Sequence, residues 1–248
     1  FAFVLYFADF REKLRNEFND WMRTTDLVDG CIDFDKALCD PNNPSAFLPI
    51  YDSGDHLHPS KEGYKKMASL LPEDCETLLD LGCGTGLELE AIYSLFPRLK
   101  VTGIDLTKAM LDKLRDKFPH KDMTLICGDY FQEPFGVNVF DCAVSFQTMH
   151  HFLKDKKLSL YKKLRESLKD GGEYIECDYM VLTQAEEDHW FSENDRLRRE
   201  QGIIGDEFYH YDTPCSVDNQ IALLKDAGFS DITEVFRVGN TTMLVAKK

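Results

Sequence analysis

Three glycines at alternate positions are the residues of this chain best suited to chemistry. Gly82, Gly84 and Gly86 follow the apolar run Leu78-Leu79-Asp80-Leu81, and a helical pattern begins directly after them. A buried strand that ends in a glycine turn lets a ligand approach the backbone closely, and the free N–H groups of the following helix can bind its polar groups. The pattern predicts a nucleotide-binding turn, although three glycines also suit a plain tight turn.

A carboxylate follows the next apolar stretch of the chain. Asp105 ends the run Val101-Thr102-Gly103-Ile104, and an acid placed roughly 20 residues after such glycines can accept hydrogen bonds from both ribose hydroxyls. The alternative is that Asp105 only caps the next helix. Thr107 could fill that role instead, so the sequence favours a ribose contact.

From residue 75 onward, strand-like segments alternate with helix-like segments, which predicts a parallel sheet covered on both faces. The predicted strands cover residues 75–81, 100–105, 123–127, 139–146, 172–180, 230–237 and 241–247. The predicted helices cover residues 87–96, 107–118, 155–169 and 216–227. Residues 168–172 are expected to be a helix end with a glycine turn. The last two strands are close enough for a hairpin, so we expect the final strand to be antiparallel.

The glycine spacing differs from that of dinucleotide-binding folds, and the Lys-Ser/Thr pair of a P-loop is missing. With the acidic strand ends and the hairpin, residues 72–248 resemble a class I S-adenosylmethionine-dependent methyltransferase domain. The resemblance implies a Rossmann-like α/β fold with a seven-stranded doubly wound sheet whose last strand is antiparallel. It also implies S-adenosyl-L-methionine as the cofactor.

The resemblance further implies which residues bind the cofactor. Asp80 would bind the methionyl ammonium, and the backbone of the glycine turn would contact the methionine and ribose parts. Asp129 would accept a hydrogen bond from the adenine amino group, with Leu106 and Tyr130 against the ring faces, although Asp129 also suits an ordinary turn. The implied set is Asp80, Gly82, Cys83, Gly84, Gly86, Asp105, Leu106, Gly128, Asp129, Tyr130 and Gln147.

The catalytic residue is harder to assign, because methyl transfer from a sulfonium needs mainly alignment of the reactants. A general base helps only where the acceptor loses a proton. His150 follows the fourth predicted strand and is the candidate base, although a histidine pair there can also anchor the loop. His151, Asp178, Tyr209 and Tyr211 are candidate substrate-pocket residues. We expect no metal, because the flanking residues offer no third ligand at a useful spacing.

Residues 181–214 interrupt the alternation with a long polar and aromatic stretch. An insertion after the fifth predicted strand would lie over the carboxyl ends of the strands, where ligands bind in α/β folds. We therefore interpret it as a helical lid, the alternative being a surface excursion away from the ligand. An arginine in the lid that grips an extra carboxylate would indicate an enzyme that modifies the cofactor or acts in a tRNA pathway; the candidates are Arg196, Arg198 and Arg199.

Residues 1–71 are expected to form a mostly helical or irregular segment, with a helix over residues 60–71 that could close the cofactor site. The run Asp55-His56-Leu57-His58-Pro59 resembles the last block of SGNH (GDSL-type) esterases, in which residues matching Asp55 and His58 complete a catalytic triad. That family's nucleophilic serine block is missing, and a His–Asp pair alone has nothing to activate. A residual esterase or non-catalytic protein is therefore the least favoured function.

Composition restricts the partners of this 248-residue chain. The net charge of −15 argues against nucleic acid, because phosphate binding depends on clustered lysines and arginines. We therefore expect a small-molecule methyl acceptor. The eight cysteines contain no C-x-x-C pair, which fits a reducing cytoplasm. No run reaches the roughly 18 apolar residues of a membrane span, and residues 1–7 lack the basic region of a signal peptide.

Overall fold

The computed structural model describes the backbone of residues 39–40, 43–47, 65, 68–205, 209, 211–238 and 240–248. Strands β1 (Cys39–Asp40) and β2 (Asn43–Phe47) form a separate antiparallel pair. This pair adds a short hairpin to the segment predicted as mostly helical or irregular, and the Asp-Pro-Asn-Asn run favours such a turn. Lys65 and Ala68 are helical, as predicted. Asp55 and His58 lie outside the described residues.

Seven strands form the main sheet in the order β5-β4-β3-β6-β7-β9-β8. Their bounds are β3 Thr77–Leu81, β4 Lys100–Asp105, β5 Met123–Cys127, β6 Phe140–Phe146, β7 Leu168–Tyr179, β8 Ser230–Val238 and β9 Thr241–Lys247. Strands β3 to β7 pair in parallel, whereas β9 is antiparallel to both β7 and β8. The predicted α/β sheet with a reversed last strand is confirmed.

Helices cover both faces of this sheet. They are α1 Leu87–Leu95, α2 Lys108–Lys117, α3 Lys154–Ser167, α4 Gln184–Gln201 and α5 Val217–Asp226, with a short 3-10 helix at Met149–His151. On β3, Leu78 packs with the core of α1 and α2, while Leu79 and Leu81 pack with the core of α3 and α5. This division follows from the alternation of side chains along a strand. Among the described residues, no helix is both long and apolar enough to cross a lipid bilayer.

Strand β7 begins earlier than the sequence predicts. Residues 168–172, expected to be a helix end with a glycine turn, belong to the strand because Leu168 pairs with Phe140. The register then shifts at a bulge, and Gly171 has a φ of +79° there. Gly171 therefore has the left-handed conformation expected of a turn, but it lies in a bulge of the strand, where such a glycine is also favoured.

Strand β3 is central to the position of the site. The chain leaves β3 toward β4 and β5 on one side and toward β6 and β7 on the other. A reversal of strand order opens a crevice at the carboxyl ends of the central strands. We call the surface formed by these five strand ends, at Leu81, Asp105, Cys127, Phe146 and Tyr179, the carboxyl edge.

Helix α4 lies within the predicted lid and is held to the body of the domain. Its buried Glu187 pairs with Lys154 of α3 and accepts a hydrogen bond of 2.8 Å from the side chain of Asn219 on α5. Burial alone would raise the pKa of Glu187, but its donors, with Lys154 foremost, lower it to about 2. The lid helix is therefore packed against its neighbours, which disfavours a free surface excursion.

Candidate functional site

The glycine turn joins β3 to α1 at the carboxyl edge. Gly82, Gly84 and Gly86 have φ angles of +72°, +48° and +64°, where a Cβ atom introduces strain. A Cβ on Gly86 would also lie 2.5 Å from Leu114 Cδ1. Helix α1 starts without a side-chain cap at Gly86. The Glu88 N–H bonds the carboxyl group of the same residue, so the other first-turn N–H groups are the ones a ligand could bind.

Two buried carboxyl groups lie beside this turn. Asp80 is 1% exposed and Glu88 is 8% exposed, and the two side chains share a hydrogen bond. Burial first, and then Glu88, raise the pKa of Asp80 well above its ordinary value. Burial also raises the pKa of Glu88, although the hydrogen bond with Asp80 opposes this rise. Burial therefore disfavours the ionised form of both carboxyl groups.

This carboxyl pair is incompletely satisfied within the protein. Among the described residues, none outside the pair donates a hydrogen bond to Asp80 Oδ2 or Glu88 Oε1. Buried acceptors nearly always find a partner in native proteins. A ligand group that is cationic and donates hydrogen bonds would complete the pair.

Asp105 connects the glycine turn to the end of β4. Its Oδ2 accepts the Gly84 N–H at 3.0 Å, and its Oδ1 accepts the Thr107 N–H at 2.7 Å. The carboxylate thus bonds the N-cap residue Thr107 directly before α2, whereas α2 itself has no side-chain cap. Each carboxylate oxygen can accept a second hydrogen bond. These bonds therefore leave Asp105 able to bind a ligand hydroxyl.

Other predicted cofactor residues stand beside Asp105. Leu106 is 69% exposed and offers an open apolar surface directly after β4. The Gly128 N–H donates to the Asp105 carbonyl at 3.0 Å, which keeps the ends of β4 and β5 together. Asp129 Oδ1 accepts the Phe131 N–H at 2.9 Å, as a turn residue does. Its contact with an adenine ring remains a prediction.

Two predicted cofactor residues are buried. The Cys83 side chain packs so closely on Gly103 that a Cβ there would lie 2.8 Å from Cys83 Sγ. Tyr130 bonds Thr148 Oγ1 through its hydroxyl at 3.0 Å, and its ring lies against Phe152. The Cys83 side chain therefore packs against strand β4, and the Tyr130 ring is buried beside Phe152. An adenine contact of Tyr130 stays a prediction.

Gln147 follows β6 in an unusual backbone conformation. Its φ is +50°, which is uncommon for a residue other than glycine. The Gln147 N–H donates to the Cys177 carbonyl at 2.8 Å and holds this conformation. Strained residues of this kind cluster at functional sites. This backbone conformation of Gln147 turns the chain from the end of β6 into the 3-10 helix that carries His150.

His150 and Asp178 form a buried pair at the ends of β6 and β7. His150 is 7% exposed and Asp178 is 2% exposed, and 2.5 Å separates His150 Nδ1 from Asp178 Oδ1. Burial alone would lower the pKa of His150, but the hydrogen bond and charge of Asp178 raise it. Because Asp178 engages Nδ1, the other ring nitrogen, Nε2, is left for a further partner.

A buried polar network lies behind this pair. Glu176 accepts a hydrogen bond of 2.8 Å from Gln220 Nε2 and one of 3.1 Å from the Tyr174 hydroxyl. Lys157 Nζ is 3.4 Å from Gln220 Oε1 and is buried. Burial, and then the charge of Asp178, raise the pKa of Glu176 to about 7. This network was not predicted from the sequence. Its main sign in the sequence is the series of acidic residues along β7.

The lid brings a carboxylate to the two histidines. Asp212 Oδ1 lies 3.3 Å from His151 Nδ1 and 3.6 Å from His150 Nε2. The Thr213 N–H donates to the His150 carbonyl at 2.7 Å and fixes this part of the lid. Asp212 is a third possible metal ligand that does not flank the histidines in the sequence. It is far from the histidines along the chain, so local spacing could not reveal it.

Aromatic side chains line the lid side of the site. Trp190 lies 6.2 Å from Tyr179 and 6.1 Å from Tyr211 between ring centroids, and Tyr209 stacks on Tyr211. The Tyr179 ring is 5.9 Å from that of His150. We call Tyr179, Trp190, Tyr209 and Tyr211 the aromatic wall. The sequence predicted Tyr209 and Tyr211 as pocket residues but not Tyr179 or Trp190.

Comparison with known proteins relates this edge to a family. Residues 78–172 match a family model described as a methyltransferase domain, from the glycine turn to the start of β7. A carboxy-S-adenosyl-L-methionine synthase of Helicobacter hepaticus is 28% identical over 216 residues, which cover 78% of this chain and 90% of that protein.

Solved structures share the fold at low identity. An O-methyltransferase family protein from Burkholderia thailandensis gives a TM-score of 0.59 at 16% identity, covering 76% of this chain and 56% of that one. Human N-acetylserotonin methyltransferase, in complex with SAM, gives 0.54 at 16% identity, covering 81% and 60%. This chain thus spans little more than half of either structure. The family match leaves out residues 1–71, and these comparisons give no support to the esterase resemblance there.

Proposed function

We propose that this chain, an S-adenosylmethionine-dependent methyltransferase of class I fold, methylates a small planar molecule at an oxygen or nitrogen that loses a proton to His150. The observation that carries the proposal is the buried His150–Asp178 pair beside the aromatic wall. Bound S-adenosylmethionine supplies an electrophilic methyl group. The chain's own residues would hold the acceptor, take its proton and exclude water.

The residues of the carboxyl edge fit the chemical groups of this cofactor. Asp80, whose Oδ2 receives no hydrogen bond from described residues outside the pair, suits the methionyl ammonium. Asp105 has acceptor capacity for the ribose hydroxyls, and the exposed surface of Leu106 suits the adenine ring. These residues lie on β3 and β4, whereas His150 and Asp178 lie across β3 on the side of β6 and β7.

His150 Nε2 is the atom proposed to accept the proton. In the neutral ring, the short bond from Nδ1 to Asp178 favours a proton on Nδ1, which leaves the lone pair on Nε2. Once the ring is protonated, the carboxylate 2.5 Å away stabilises the imidazolium. A flat acceptor packed on the aromatic wall would present its hydroxyl or N–H group beside this ring.

We expect cofactor binding to release a proton from Asp80 and Glu88. Their raised pKa values mean that the free protein keeps a shared proton at pH values where ordinary carboxyl groups are ionised. A bound ammonium group favours the ionised pair. Of the nearby charges, Lys117 also favours ionisation of Glu88, whereas Asp105 opposes ionisation of Asp80. Affinity should therefore increase as the pH rises through the raised pKa of the pair.

Calorimetric titration with S-adenosylhomocysteine, in two buffers of different ionisation enthalpy, measures this proton release. The heats should differ between the buffers for the wild type, and Glu88→Gln should remove most of the difference. Glu90→Gln is the control, because Glu90 lies in the same helix but is only partly buried. Equal heats in both buffers for the wild type would contradict the shared proton.

We expect Trp190→Ala to weaken acceptor binding more than the chemical step. Trp190 contacts Tyr179 and Tyr211 of the aromatic wall, so its loss should raise KM for the acceptor by about 3- to 10-fold with little change in kcat. Phe191→Ala is the control, because Phe191 lies over Lys154 and outside the wall. Equal KM values for both variants would show that the aromatic wall does not contact the acceptor.

A panel of acceptors tests the proposed function itself. The full chain is incubated with S-adenosylmethionine and small phenols, imidazoles, aliphatic carboxylic acids or thioethers, and formation of S-adenosylhomocysteine is measured. We expect turnover of planar acceptors that carry an acidic hydroxyl or N–H group. Turnover confined to thioethers, which have no proton to lose, would contradict the role of His150.

A second candidate function is modification of the cofactor, favoured by the similarity to the H. hepaticus synthase. Such an enzyme needs an arginine for the added carboxylate. Arg196 is occupied by Glu193 and Glu200, and Arg198 donates to a backbone carbonyl at 2.7 Å. Two of the three lid arginines are therefore engaged within the lid, and Arg199 stays a candidate for the carboxylate. We place methyl transfer first because it uses the buried His150–Asp178 pair. Mass spectrometry of the nucleoside released from purified protein would show a carboxylated cofactor only if the second candidate is right.

A further inference from the structure

His150, His151 and Asp212 form a cluster of side chains of the kinds that bind metal ions in proteins. The two histidines come from the 3-10 helix after β6, and the carboxylate comes from the lid. One ring nitrogen of each histidine and one Asp212 oxygen all lie within 4.8 Å of one another. Two imidazoles and a carboxylate suit zinc and neighbouring transition metals, whereas calcium and magnesium prefer oxygen ligands alone.

The two separations that involve Asp212 fit a tetrahedral metal. Two ligands bound to zinc at about 2.0–2.1 Å, at tetrahedral angles, lie roughly 3.3–3.4 Å apart. Asp212 Oδ1 is 3.3 Å from His151 Nδ1 and 3.6 Å from His150 Nε2. A charge-assisted hydrogen bond would be shorter, at about 2.7–2.9 Å. The spacing therefore suits a shared ion better than two direct hydrogen bonds.

The surroundings of His150 also match a metal-binding histidine. Such a histidine usually donates its second ring N–H to a carboxylate, which fixes the tautomer and the ring orientation. Asp178 fills this role at Nδ1 and is itself held by the Tyr179 N–H at 2.9 Å. The other ring nitrogen, Nε2, lies 3.6 Å from Asp212 Oδ1.

We infer that His150, His151 and Asp212 form a binding site for a divalent ion of the zinc class, with a fourth position open toward the acceptor. The ion would occupy the nitrogen that takes the acceptor proton. Zinc should therefore inhibit methyl transfer, an effect that rests on the proposed function. It would also join the lid to the turn after β6, because Asp212 belongs to the lid.

Calorimetric titration of the full chain with Zn²⁺ tests the site directly. The chain holds seven histidines and eight cysteines, so matched variants are needed to locate the ion. We expect a saturable site that Asp212→Asn and His151→Gln each weaken by at least about 10-fold. His189→Gln and Asp188→Asn, on the exposed side of α4, should leave it unchanged. Absence of saturable binding, or equal affinity in all variants, would overturn the inference.

An activity assay separates this inference from the proposed function. Added Zn²⁺ should reduce wild-type turnover, EDTA should restore it, and Asp212→Asn should resist inhibition when normalised to its own metal-free rate. If zinc binds at these residues but increases turnover, the metal site is supported and His150 is not the base. If zinc does not bind, the metal site is wrong, whereas substitution of His150 still tests the base.

Discussion

Replacing His150 with glutamine should reduce kcat by about 10²- to 10⁴-fold, the usual contribution of a general base. Glutamine can still donate to Asp178, so the buried carboxylate keeps a partner, but the variant has no group that accepts a proton at neutral pH. Affinity for S-adenosylhomocysteine should stay within about 3-fold of the wild type, because His150 lies across β3 from Asp105.

Asp178→Asn provides a second variant of similar shape. An amide cannot hold His150 in one tautomer or stabilise the imidazolium, and loss of such a carboxylate lowers kcat by up to about 10⁴-fold. The double variant should be no slower than the slower single variant, because the two side chains act as one unit. Steady-state kinetics at saturating acceptor measures each effect. A kcat for His150→Gln close to that of the wild type would show that the pair is structural.

Replacing Asp105 with alanine should weaken cofactor binding by about 5- to 150-fold, the loss expected for one hydrogen bond to a charged group. Two effects contribute. The ribose hydroxyls lose an acceptor, and the Gly84 N–H loses the bond of 3.0 Å that holds the glycine turn. Calorimetric titration with S-adenosylhomocysteine measures the sum. Asp112→Ala is the control, since Asp112 is an exposed acid of α2 paired with Lys108.

A second ligand separates the two effects of Asp105. The 2′-deoxyribose analogue of S-adenosylhomocysteine lacks one of the hydroxyls assigned to Asp105. The wild type should bind the analogue more weakly than the parent compound, whereas Asp105→Ala should bind both almost equally, as a double-mutant cycle requires for a direct contact. If both proteins discriminate equally, Asp105 acts only through the glycine turn.

The sequence predicted the carboxyl edge well because its signals are local. A strand followed directly by glycines gives the turn, and Asp105 is recognisable because it ends the next apolar run. Strands β4, β5 and β9 coincide with their predicted bounds. The prediction for residues 168–172 was wrong because a glycine pair looks the same in a turn and in a strand bulge. Only the pairing of Leu168 with Phe140 distinguishes the two.

Residues whose roles depend on tertiary contacts could not be predicted from the sequence. Glu88 looks like an exposed acid in the first turn of a helix, and only the fold buries it against Asp80. Asp212 reaches the histidines because the lid returns over β6. Trp190 resembles any aromatic residue on a polar helix until its contacts with Tyr179 and Tyr211 are known. No local pattern encodes such contacts.

A crystal structure of the full chain with S-adenosylhomocysteine tests the central claim most directly. We predict that the methionyl amino group binds Asp80 and that the ribose hydroxyls bind Asp105. The adenine amino group should bind Asp129, with Leu106 against a face of the ring. The sulfur should then face His150. A ligand at another surface, or one at this edge whose sulfur points away from His150, would contradict the proposed site.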